Sequence, residues 1–212
     1  MGIEQEGQIT VLIHCGSRGF GHQICTDCLR VSENVLEKYG ITLPDRELAC
    51  VPNNSKEGES YRAAMNCALN FAWTNRQMIM HWVRMTFRKL FSLSDQGVEN
   101  MKLVYDVAHN IAKVKRHAID GGGTKQVVVH RKGATRAFPQ GMDEVPYIYR
   151  NLGQPVMLPG SMGTASWILL GNRNSMDLSF GSIAHGAGRV LSRSAAKRAY
   201  TPEKVKHIPR KK

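Results

Sequence analysis

The chemistry in this chain starts from three histidines that sit where apolar, strand-like segments give way to turns. His185 is followed by Gly186-Ala187-Gly188-Arg189 and then by a helix pattern over residues 190–198. Glycines let backbone N–H groups come close to a phosphate, and a helix N-terminus adds partial positive charge at that point. An imidazole so placed can hold a phosphate or attack one; a plain helix start with an incidental histidine has the same local spelling. His14 follows the apolar run 9–13 and opens a turn with three glycines, Gly16, Gly19 and Gly21. His109 follows the run 103–107 and precedes Asn110. Strand ends are where rigidly carried catalytic groups tend to be found. Neutral imidazole suits Mn, Zn, Fe or Ni, but no H-x-x-x-H or H-x-H pair occurs, so spacing alone carries no metal signature. His22, His81, His117, His130 and His207 read as surface or packed histidines. Cys25 and Cys28 form a C-x-x-C pair with no second pair to complete a metal site.

The elements that must position these groups are legible in outline. Residues 9–13 read as a buried strand, and a helix is expected from about 23 to 39, stopped by Gly40. Residues 44–59 have loop chemistry. A long helix is expected over 60–91, which contains no Pro or Gly; its aromatics Phe71, Trp73, Trp82 and Phe87 read as core packing rather than a base-stacking surface. Residues 103–107, 126–130, 154–158 and 167–170 read as further strands. Strands mixed with one long helix, without regular βαβ alternation, make the class α+β. One domain over residues 8–198 and a basic tail over 199–212 are expected.

The chain has 212 residues with 42% hydrophobic and 22% charged content, the profile of a soluble globular protein. The apolar runs are too short to span a bilayer and no signal peptide opens the chain, so a cytoplasmic location is expected. Lys and Arg number 29 against 17 Asp and Glu, a formal charge of +12 that favours polyanionic partners, nucleic acid above all. Five cysteines, an odd count without secretory context, argue against a disulfide framework.

Five blocks in order resemble the RtcB family of tRNA-splicing RNA ligases. They are His14-Cys15-Gly16-Ser17-Arg18-Gly19-Phe20-Gly21-His22, then Tyr105-Asp106-Val107-Ala108-His109-Asn110, then His130-Arg131-Lys132-Gly133-Ala134-Thr135-Arg136, then Pro159-Gly160-Ser161-Met162-Gly163-Thr164, and the stretch from His185. The resemblance implies RtcB-like mixed sheets with packed helices. It also implies an activity that joins RNA ends bearing a 2′,3′-cyclic phosphate or 3′-phosphate to 5′-hydroxyl ends, with GTP and two Mn²⁺ ions. Residue by residue, His185 resembles the histidine that becomes guanylylated, and His14 and His109 resemble manganese ligands. Asn110, Pro159, Gly160, Ser161, Met162, Ser166, Gly186, Ala187 and Gly188 resemble nucleotide contacts. A helix N-terminus at His185 would favour the neutral nucleophile by about 0.3–1 kcal/mol. Arg18, Lys113, Arg131, Lys132, Arg136 and Arg189 are candidates for RNA phosphates.

The resemblance also marks what is missing. Family members carry, upstream of the His14 block, an Asp and a Cys that bind manganese and an Asn-His pair, and downstream a Lys that contacts the nucleotide. Neither the residues before Ile9 nor Lys211 and Lys212 match these. The chain is therefore expected to be an incomplete domain. Its partners would be RNA such as tRNA halves or broken ends, GTP, and a polypeptide carrying the absent N-terminal part or an archease-type activator. The alternative is a catalytically impaired fragment that binds RNA or nucleotide.

Overall fold

The computed structural model describes residues 2–45, 48–119, 122–160, 164–186, 191 and 193–201. The chain divides into two compact units, one over residues 2–104 and one from Tyr105 onward.

The first unit is helical. Helix α1 spans Arg18–Val35, and a short 3-10 turn, Glu37–Tyr39, ends at Gly40 in the left-handed conformation, as the sequence predicts. Helix α2 spans Lys56–Phe91, four residues longer at its start than expected, because Ser55 caps it by accepting from the Gly58 N–H at 3.0 Å. Gly58 is required there: a Cβ at this position would stand 2.5 Å from the Pro52 carbonyl oxygen. Glu57 and Glu59 in the first turn and Arg88 and Lys89 in the last complement the helix dipole. Glu57 accepts from Lys38 Nζ at 2.8 Å and Tyr39 Oη at 2.7 Å, which ties the end of α1 to the start of α2. These two donors, Lys38 foremost, hold its carboxyl down to about 2. A five-residue helix, α3, Asp95–Glu99, completes the unit.

Two expectations fail in this unit. Residues 9–13 form no strand; Ile9 is 77% exposed, because a β-branched run becomes a strand only when a neighbour completes its ladder, and none pairs with it among the described residues. The aromatics of α2 do not all face a core: Phe20 packs on Phe71 at 5.5 Å, but Trp82 is 61% exposed, and Gly58 and Ala72 are the buried residues of this helix.

Among its described residues the second unit holds three two-stranded antiparallel sheets: β1 (Asn110–Ala118) with β2 (Thr124–Lys132), β3 (Ala134–Arg136) with β6 (Ser182–Ala184), and β4 (Pro155–Leu158) with β5 (Trp167–Leu170). Helix α4 spans Arg173–Ser179 and α5 spans Arg193–Ala199. Its core is Phe138, Val145 and Tyr149, closed by Tyr105, Met142 and Met176. Residues 103–107 are not a strand; Tyr105 serves this core instead, its ring edge-on to Tyr149 at 6.0 Å. Strand β1 was not expected, since Lys113, Lys115 and Arg116 break its apolar pattern, while β2, β4 and β5 lie close to their predicted places. Helices with small antiparallel sheets and no βαβ repeat make the chain α+β.

Candidate functional site

Three segments of the second unit meet at one glycine. Strand β2 ends at Lys132 and β3 begins at Ala134, so Gly133 is the joint between two different sheets, and it turns there with φ +67°. Its N–H donates to the His109 carbonyl at 3.0 Å, and its carbonyl accepts from the His185 N–H at 3.3 Å. His109 stands just before β1 and His185 just after β6, so this one residue binds the backbone of both. Their rings stack with centroids 4.1 Å apart and 18° between planes. The edge of the His185 ring bearing Nδ1 and Cε1 faces Gly133, each atom 3.6 Å from where a Cβ would be. Nδ1 of both histidines is buried.

Arg131 holds β6 in place from below this joint. It is 4% exposed, with Nε donating to Ser182 Oγ at 2.9 Å and Nη2 to the Phe180 carbonyl at 2.9 Å. Arg136 is spent likewise: Nε donates to Gln154 Oε1 at 2.8 Å and Nη2 to the Glu144 carbonyl at 3.2 Å, with the guanidinium 4.9 Å over the Phe138 ring. Two cations expected to face RNA phosphates are thus internal braces. For Arg131 the signal was its place two residues after Val129 in β2, on the same buried side; Arg136 carries no such mark.

The glycine loop expected to approach a nucleotide passes the residue that follows His185. A Cβ on Gly186 would lie 3.6 Å from the Pro159 carbonyl oxygen, so the loop after β4 runs beside the turn after β6. Gly160 N–H donates to Ser166 Oγ at 3.1 Å, which closes the loop between β4 and β5. A side chain at Gly160 would overlap the Ala165 carbonyl. Asn110 opens β1, exposed, opposite Lys132 in the ladder. Pro159 thus lies beside Gly186, the residue after His185, Ser166 is tied to Gly160, and Asn110 follows His109. Ser161, Met162, Ala187 and Gly188 lie outside the described residues, as do Arg189 and His207. The helix described after His185 begins eight residues on, at Arg193, so no helix dipole is assigned to that imidazole.

His14 belongs to the first unit, exposed, on the segment that leads into α1. The backbone beside it is fastened to α2. Asn75 Nδ2 donates to the Gly16 carbonyl at 2.9 Å and to Cys15 Sγ at 3.2 Å, and Arg76 Nη1 donates to the Cys15 carbonyl at 3.4 Å. Sequence reading missed Asn75, because a polar residue inside a helical pattern carries no mark of the loop it holds. Cys25 is exposed and Cys28 half-buried; burial, then Cys25, pushes the Cys28 thiol up, and no third ligand joins the pair among the described residues. Among the described residues, no helix is long and apolar enough to cross a membrane.

Comparison with known proteins matches the whole chain, residues 1–212, to the family model described as tRNA-splicing ligase RtcB. The chain is 59% identical over 206 residues to a tRNA-splicing ligase RtcB of Pyrobaculum aerophilum, covering 96% of this chain and 42% of that protein. It is 58% identical over 205 residues to one of Archaeoglobus fulgidus, covering 97% of this chain and 42% of the relative. For one of Pyrococcus furiosus the figures are 56% over 201 residues, 95% and 21%. The chain therefore spans less than half the length of these curated relatives.

Proposed function

The chain belongs to the tRNA-splicing ligase RtcB family, and from that premise we propose that it is the guanylylating part of an RNA ligase, with His185 as its nucleophile. The observation that carries the reading is the Gly133 joint, whose backbone binds both His109 and His185 and whose two bonds accompany the stacking of their rings 4.1 Å apart. In the proposed step Nε2 forms a bond to the α-phosphorus of GTP as the bond to the β-phosphate oxygen breaks, and pyrophosphate leaves. The backbone at Pro159, Gly160 and Gly186, kept close by glycine, suits the approach of a phosphate, and Ser166 fixes that loop. Asn110, beside His109, is the proposed side-chain contact to the nucleotide; Ser161, Met162, Ala187 and Gly188 complete the proposed set on the motif match.

The imidazole character of the site suits a borderline cation. His14 and His109 are the proposed Mn²⁺ ligands, and the ion's contribution is to neutralise triphosphate charge and align the leaving group. The overall activity proposed is joining of 2′,3′-cyclic phosphate or 3′-phosphate RNA ends to 5′-hydroxyl ends, within one ligase domain over 8–198, in the cytoplasm. A polypeptide carrying the remaining family segments, or an archease-type activator, is the proposed partner.

The test is incubation with α-labelled GTP and Mn²⁺. Acid-labile, alkali-stable label on the protein, absent in His185→Ala and reduced in His14→Ala and His109→Ala, is expected. No label, even with the rest of a relative's chain supplied in trans, refutes the catalytic reading. A second reading, RNA or nucleotide binding without catalysis, is favoured by the +12 charge together with coverage of only 42% of the relatives. It predicts salt-sensitive RNA binding that His185→Ala leaves unchanged.

A further inference from the structure

The β1–β2 ribbon leads away from the histidine pair: Asn110 follows His109, and Lys132, its ladder partner, precedes Gly133. Directly opposed residues of an antiparallel pair share a face, so the register assigns each side chain of the ribbon to one side or the other. One side carries the buried His117, Val129 and Arg131 together with Lys115 and the exposed Lys113 and Lys125. The other carries the pairs Asn110–Lys132, Ala112–His130, Val114–Val128 and Arg116–Gln126. On that second side Asn110, Val114, Arg116, Gln126, His130 and Lys132 are exposed. Neither strand contains an Asp or Glu. With nine residues per strand, the face is roughly 30 Å long.

We propose that this open face is a rail for single-stranded RNA that runs outward from the histidine pair. The proposal rests on the RNA-ligase reading of that pair and deepens it by saying where the RNA lies. Charge complementarity commits the face to a polyanion: Lys132 marks the site end and Arg116 lies toward the far end, with no acidic group between them. Between the cations, the imidazole of His130 and the apolar surfaces of Val114 and Val128 offer contact to bases and riboses, which suits a strand with unstacked bases more than a duplex. Cations spaced along a sheet face position a phosphate backbone without reading its sequence.

The test uses the full chain and a fluorescein-labelled single-stranded RNA bearing a 3′-phosphate, followed by anisotropy from about 50 to about 200 mM salt. Each phosphate contact to a single strand contributes about 0.7 to the slope of log affinity against log salt, hence about eightfold in affinity near 50 mM salt. Arg116→Gln is expected to weaken binding about eightfold and to flatten the slope by about 0.7. Arg173→Gln, which removes the same charge from the exposed first turn of α4, is expected to leave the slope where it was. Gln126→Glu, directly opposite Arg116, is expected to weaken binding by at least as much as Arg116→Gln. Equal slopes for Arg116→Gln and Arg173→Gln, an inert Gln126→Glu, or no RNA binding at the lowest salt each overturn the rail. GTP labelling of the same proteins separates the two claims. Label in the wild-type chain with no Arg116 effect on RNA sinks the rail alone, whereas Arg116-dependent RNA binding without label sinks the catalytic reading alone.

Discussion

Gly133 is the residue on which the candidate site stands, and Gly133→Ala isolates what it does. The position has φ +67°, left-handed backbone that costs an L-residue with a Cβ about 1–2 kcal/mol. Overlap is not the issue, because the added Cβ would stand 3.6 Å from His185 Cε1 and Nδ1, ordinary contact distance. The cost is therefore conformational, and the protein can meet it in one of two ways. It can hold the strained φ, in which case stability falls by about 1–2 kcal/mol, a Tm fall of roughly 2–8 °C for a chain of this size. Or it can relax the backbone and give up the hydrogen bonds of 3.0 Å to His109 and 3.3 Å from His185, in which case the ring stack loosens and GTP labelling falls as well. Gly133→Asn separates strain from bulk, since asparagine tolerates the left-handed region better than alanine. Urea denaturation of the three proteins should rank stability as glycine, asparagine, alanine, with unchanged slope. Alanine equal to glycine, or asparagine worse than alanine, would refute a conformational role for this joint.

Arg131→Met should cost about 1.5–3 kcal/mol in urea denaturation, since the charge-assisted hydrogen bonds of a buried guanidinium to Ser182 and Phe180 are lost. An exposed-lysine-like effect near zero would show that β6 is held by something else. His117 is 5% exposed, edge-on to Phe180, and its pKa is held below the ordinary 6.5 by burial first, then by Arg131 and Lys115, with Glu144 opposing. A base depressed in the fold contributes stability that is full above 6.5 and is lost as pH falls below it. Melting of His117→Leu should therefore be flatter than wild type below that pH; parallel curves would count against the assignment. Glu57 runs by the carboxylate rule: its contribution is full above its ordinary 4.5 and is lost as pH falls toward about 2. Glu57→Gln should remove the pH dependence in that window, and because its ion-pair partner Lys38 is exposed the change in Tm should be small.

What could be read from the sequence follows from how local each signal is. The two long helices were legible because periodicity and Gly40 are written within one turn of where they act, whereas Ser55, read as turn chemistry, proves to be the cap that starts α2 at Lys56. Strand existence is a two-body property, and this is where reading failed in both directions. Residues 9–13 have every intrinsic preference for a strand and no ladder, while β1 carries three cations in nine residues and pairs along its whole length with β2. The site residues were legible as motifs; the structure sets Pro159 beside Gly186 and ties Gly160 to Ser166 within the second unit. The Gly133 hub was spelled out inside a motif, yet its work is done through backbone hydrogen bonds to residues 24 and 52 positions away, which no local pattern encodes.

Net charge is the signal that the structure refines most. A count of +12 treats every arginine as a contact for nucleic acid, but burial divides them. Arg131 and Arg136 donate to Ser182, Phe180, Gln154 and Glu144 inside the second unit, so their charge is already committed to carbonyl and side-chain oxygens. Arg116 and Lys132 share an open face with no acidic neighbour on either strand. Only cations of the second kind release counterions when a strand of RNA arrives. The measured salt slope should therefore answer to Arg116 and be indifferent to conservative changes at Arg136, whose loss should appear as a lower Tm. The same assay then tells a cation that holds the fold from one that holds the substrate.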